Sequence, residues 1–138
     1  MQGIIQAKVW GTTQCLFQSE TTEVHLIRPT RGGFCSIHEH ASKNNLFYVI
    51  AGKLKVVIFR ENNLKDETIL GPGMGTTVAP QERHQFEALD DTIALEIYHV
   101  RLDPADIQRF SQGGLATATS DADVLVQRNS LPAEDSIP

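Results

Sequence analysis

The 138-residue sequence predicts an all-β domain, a barrel or sandwich of antiparallel strands. Short segments rich in β-branched and aromatic residues recur about every ten residues as far as about residue 101, and Gly, Pro, Asn and Asp punctuate them. Gly71, Pro72, Gly73 and Gly75 crowd one stretch in the middle of this pattern, which requires a turn and excludes a helix.

Ten strands follow from the alternation: residues 4–9, 13–18, 23–28, 34–39, 46–51, 53–60, 66–69, 75–78, 84–88 and 92–101. Ala51 and Gly52 separate LFYVI from KLKVVIFR and suggest a tight hairpin with a positive φ at Gly52. Glu61, Asn62 and Asn63 form a polar tip. The glycine cluster at 71–75 is followed by neither a GK[ST] signature nor a helix, so it reads as a turn and not as a phosphate cradle. One helix of about two turns is expected at 103–110, with Asp103 as cap, Pro104 at the first helical position and Asp106 in the first turn. Residues 1–112 form one domain on this reading, and 113–138 form a small, polar tail whose Val124, Leu125 and Val126 could add a strand.

Composition narrows the function classes. Hydrophobic residues make up 41% and charged residues 21%, and no apolar run approaches the roughly 20 residues of a membrane span. The net charge of −5 is spread without a basic cluster, which argues against a nucleic-acid partner. The first residues lack the charged and apolar regions of a secretory signal, so a cytoplasmic location is expected. Cys15 and Cys35, without CxxC spacing, are expected to be buried free thiols.

The chemistry concentrates between Gly32 and Gly52. His38 and His40 are one residue apart in an alternating run, so both imidazoles point to one face and make half of a metal site. A third imidazole is offered by His84, after the turn at Pro80. The alternative role of the three is that of structural polar groups, hydrogen-bonded inside a barrel. Glu96 and Tyr98 alternate against Ile93, Leu95 and Ile97, so their face is polar and suits substrate contact or general acid and base work. His25 and His99 are expected at the surface or in satisfied positions, and Trp10 as a core or dimer anchor.

These landmarks resemble the two cupin motifs, G(x)5HxH(x)3,4E(x)6G and G(x)5PxG(x)2H(x)3N. Gly32, His38, His40 and Gly52 match the first, and Gly73 and His84 the second. The first-motif Glu falls on Asn45, and in the second motif the Pro falls on Ala79, the second Gly on Gln81 and the Asn on Ala88. With KVWG, FYVIAGKLKV, LEIYHVR and DIQR, the chain is similar to small cupins related to the type II mannose-6-phosphate isomerase domain. The resemblance implies a double-stranded β-helix, or jelly-roll barrel, enclosing one divalent metal ion (Zn, Fe, Mn or Ni) held by His38, His40 and His84; Asn45, at the Glu position, is expected as a weak, neutral fourth ligand or as a group that bonds a site water or caps the turn after Lys43.

Strand parity then places Phe34, Ser36, Asn45, Phe47, Val49, Ala51, Phe86 and Ala88 inward with the histidines, and Cys35, Ile37 and Glu39 outward. Tyr48 and Ile50 face away and, with Leu46, suggest an apolar patch for a second subunit. The expected activity is binding of a small oxygen-rich molecule, a sugar, sugar phosphate or oxo acid, by a homodimer, with metal-assisted isomerisation as the first reaction to consider. An iron-dependent dioxygenase and a non-catalytic ligand-binding or sensing module are the rival readings.

Overall fold

The computed structural model describes residues 3–116, and its nine strands form two antiparallel sheets. The strands are β1 (Ile5–Lys8), β2 (Gly11–Gln18), β3 (Thr22–Pro29), β4 (Asn44–Ala51), β5 (Leu54–Phe59), β6 (Lys65–Leu70), β7 (Gly75–Val78), β8 (Arg83–Ala88) and β9 (Ile93–His99). The larger sheet runs β1-β2-β3-β9-β4-β7 and the smaller β6-β5-β8. Period-2 alternation drives both. In β4, Asn45, Phe47 and Val49 are buried while Tyr48 and Ile50 are exposed, as expected of a strand with one face on a core. Phe47, Val49 and Ala94 from the large sheet pack with Leu54, Val56, Phe86 and Ala88 from the small one, and the Phe47 ring meets that of His84 at 6.4 Å.

Three expectations are corrected. Ala51–Gly52 is a corner between sheets and not a hairpin, because β4 pairs with β9 and β7 whereas β5 pairs with β6 and β8. Gly52 does carry the positive φ, +92°, and a Cβ there would run into the Asp91 carbonyl.

Residues 34–39 form no regular strand. They run antiparallel beside β8 through two isolated bridges, Phe34 with Glu87 and His38 with His84. Four steps on one side match three on the other, so the segment holds one extra residue, as in a bulge. That slip reverses the parity before it: Phe34 and Ser36 are exposed and Cys35 is buried, while His38 and His40 keep their inward aim.

The expected helix at 103–110 is absent. Asp103 makes its capping bonds, accepting from Ala105 N at 3.0 Å through Oδ1 and from Asp106 N at 3.1 Å through its carbonyl, but the chain stops at one turn. Two turns are too few to offset the cost of helix nucleation, and the Asp side chain stabilises the turn on its own. The compact β unit ends at Leu102, and the chain from Asp103 forms a unit of its own. Val124 to Val126 lie outside the described residues. No helix among the described residues is long and apolar enough to cross a membrane.

His25 is a satisfied histidine, as expected: its Nε2 lies 3.1 Å from Glu23 Oε1. Its β3 position opposite Glu96 of β9 also sets it in the cavity wall with Glu96 and Tyr98.

Candidate metal centre

His38 and His84 form a cross-strand pair joined by both backbone bonds, His84 N to His38 O at 2.8 Å and His38 N to His84 O at 3.0 Å. Their rings therefore stand side by side, with centroids 4.4 Å apart. The turn Ala79–Glu82 brings His40 into the same cluster. Glu82 N bonds Ala79 O at 3.2 Å across it, Pro80 occupies its second position, and Gln81 adopts φ 65°. Pro in the second and a positive φ in the third position define a type II turn. Gln81 N then bonds His40 O at 2.7 Å. The Glu82 carboxylate locks the turn by accepting from Ala79 N at 2.8 Å and from Arg60 Nη1 at 2.6 Å.

Backbone carbonyls set the tautomers. Nδ1 of His38 lies 2.8 Å from Ser36 O, and Nδ1 of His84 lies 2.9 Å from Glu82 O. A carbonyl can only accept, so each Nδ1 carries a proton, and in its neutral form each ring presents an Nε2 lone pair. Burial first, then the charge of Lys43 and the neighbouring imidazoles, push His40 down to about 4. Burial likewise lowers His84. The three potential ligand atoms lie within 4.8 Å of one another.

Two features fit a cation. His40 Nε2 is buried with no hydrogen-bond partner, a costly state for a polar atom unless something else satisfies it. Asn45 Oδ1 lies 3.1 Å from His84 Nε2, and with the proton on Nδ1 these are two lone pairs facing each other. Such an arrangement is repulsive alone and stable around a shared positive ion. Three imidazole nitrogens and an amide oxygen suit a first-row divalent metal.

Behind Asn45 stands Glu96, whose Oε2 accepts from Asn45 Nδ2 at 3.4 Å. Burial pushes the Glu96 carboxyl up, and hydrogen bonds from Tyr98 and Asn45 offset part of that rise. Burial and the neighbouring Glu96 raise Tyr98 as well. The Tyr98 ring packs edge-on to His40 at 5.2 Å and to His25 at 5.6 Å, under the Lys43 ammonium at 4.1 Å.

A cavity of about 460 Å³ reaches His38 and is lined by Trp10, Phe86, His25, Glu96 and Tyr98 among others. That size suits a small-molecule ligand. The structure thus gathers all six residues singled out by sequence, His38, His40, Asn45, His84, Glu96 and Tyr98, and adds His25. Its facing is decided by β3–β9 pairing, so the signal available in sequence was its alternation with Glu23 and Ile27 once that pairing is known. Glu39 points away and meets Arg83 at 3.5 Å. Trp10 packs edge-on to Phe86 at 5.0 Å, as a core residue.

No protein-family model and no curated protein matches the sequence. Solved structures do match in fold. KdgF from Halomonas sp. is 19% identical, with a TM-score of 0.62 over 72% of this chain and 90% of that one. The Bacillus subtilis oxalate decarboxylase, a protein with Mn(II) centres, is 18% identical with a TM-score of 0.63 over 70% of this chain; the match spans 27% of the decarboxylase. A cupin superfamily protein from Desulfitobacterium hafniense DCB-2 is 15% identical, with a TM-score of 0.57 over 73% of this chain and 82% of that one. The chain has the cupin fold.

Proposed function

We propose that the protein is a metal-dependent cupin that binds one divalent ion through His38, His40, His84 and Asn45 and takes a small oxygen-rich molecule into the cavity beside His38. The observation that carries this reading is the buried, unpartnered His40 Nε2 set among two further imidazoles whose tautomers turn their lone pairs inward. A neutral ligand set leaves the ion's charge uncompensated, which favours a substrate with a carboxylate, phosphate or enolisable carbonyl oxygen.

Metal-assisted isomerisation of a sugar, sugar phosphate or oxo acid is the reaction proposed. The bound ion would polarise a carbonyl. Glu96 lines the cavity with a carboxyl shifted upward by burial, a property that suits a group exchanging a proton at carbon. Tyr98 and His25 would hold hydroxyl groups. We further propose a homodimer, formed through the outer sheet face where Tyr48 and Ile50 are exposed.

Metal analysis of tag-free protein, followed by solvent-deuterium incorporation into candidate sugars and oxo acids, tests the reading. Stoichiometric metal and metal-dependent exchange at the α-carbon are expected. Absence of metal even after it is supplied overturns the metal-centred account. Oxygen consumption with Fe(II) in place of deuterium exchange assigns the site to a dioxygenase, and the oligomer is read from sedimentation.

A further inference from the structure

We propose that Glu96 is a positioning residue of this centre: its carboxylate holds the Asn45 amide with Nδ2 turned away from the histidines, so that Oδ1 is presented as the fourth ligand. The inference rests on the metal-binding reading and concerns how a neutral amide can act as a ligand there.

An Asn amide has two ends of nearly equal size. Beside the bare Nε2 of His84, a free amide gains by turning its NH2 toward that lone pair, and the donor then blocks the metal position. In the structure the opposite orientation stands, with Oδ1 3.1 Å from His84 Nε2 and Nδ2 3.4 Å from Glu96 Oε2. Glu96 can impose it because β9 runs beside β4: Tyr98 faces Asn45 and Glu96 faces Phe47, so the Glu96 side chain reaches Asn45 on the diagonal. Glu96 is only 8% exposed, so water offers the amide little competing acceptor. A carboxylate hydrogen-bonded to the NH2 also draws amide electron density onto Oδ1 and makes it a better donor to a cation. The carboxylate expected by the cupin motif at position 45 is thereby replaced by an amide with a carboxylate standing behind it.

Co(II) affinity and the Co(II) absorption spectrum test this in wild type, Glu96→Leu, Glu96→Gln, Asn45→Ala and the two double variants, with thermal melts confirming that each is folded. Groups that orient a ligand typically change metal affinity by about 10- to 100-fold. Glu96→Leu is expected to weaken Co(II) binding by about that factor and to shift the spectrum toward that of Asn45→Ala. Glu96→Gln keeps an acceptor oxygen and should recover most of the loss. In the Asn45→Ala background either substitution should change affinity by less than about 3-fold, the non-additivity that marks action through Asn45. If Glu96→Leu does not fold, the cycle is read with Glu96→Gln, whose small loss must then vanish in the Asn45→Ala background. Unchanged affinity in the folded Glu96 variants, or equal losses in both backgrounds, overturns the inference while leaving the metal site standing. Failure of wild type to bind Co(II) at all overturns both.

Discussion

Asn45 Oδ1 faces His84 Nε2 at 3.1 Å, acceptor against acceptor, in a position where the cupin motif places a carboxylate. Asn45→Glu should therefore act in opposite directions on the metal-free and metal-bound protein. Without metal, a second carboxylate beside buried Glu96 removes the amide donor and adds like charge, which should cost about 1–3 kcal/mol of stability. With metal, the added charge neutralises the ion and should tighten binding at least about 10-fold. Melting with and without Zn(II), together with a chelator competition, checks both halves. Equal melting shifts on metal addition in the two proteins would remove Asn45 from the ligand set.

Gln81 adopts φ 65° at the third position of the Ala79–Glu82 turn, a conformation that disfavours a Cβ, and the cupin motif places Gly there. Gln81→Gly should relieve a strain of about 1–2 kcal/mol, offset in part by the roughly 0.5–1 kcal/mol that Gly's greater unfolded-state freedom costs. A net gain of up to about 1.5 kcal/mol in urea unfolding is expected. Metal affinity should be unchanged, because the Gln81 N to His40 O bond uses only backbone.

The contrast between such local features and longer-range ones explains what could be read from sequence. Period-2 alternation identified β4 and β9, and the spacing of His38 and His40 defined a shared face regardless of partner. Three other features depended on partners far along the chain. His25 faces the cavity because β3 pairs with β9, the Ala51–Gly52 joint is a corner because each strand finds distant partners, and Cys35 is buried because one extra residue between Phe34 and His38 is accommodated against β8. The helix expected at 103–110 failed for the reverse reason: its capping signals are local, but a two-turn helix needs packing that a cap cannot supply.

The buried Cys35 supplies a chemical readout of that slip. Its Sγ accepts from Phe86 N at 3.2 Å, and burial pushes the thiol up to about 11. In a Cys15→Ala background, folded protein at pH 8 should therefore react with a thiol reagent orders of magnitude more slowly than unfolded protein. An outward-facing Cys35, as simple strand alternation implies, would label at once.

Acid should destabilise the metal-free fold through the imidazole cluster. His40 sits at about 4 and His84 is also lowered, so both are neutral in the folded state where the unfolded chain, with an ordinary imidazole near 6.5, takes up protons. The unfolded state then binds more protons, and stability rises with pH across that interval. The window runs from about 6.5 down to about 4, with the loss accumulating as pH falls and levelling below His40's folded value. The two imidazoles should lower the melting temperature of the metal-free protein between pH 7 and pH 4.5, against an opposite contribution from Glu96, whose raised carboxyl protonates first in the folded state, and His40→Gln, which cannot take up a proton, should remove part of the fall. A His40→Gln profile parallel to that of wild type would assign the acid sensitivity to other groups.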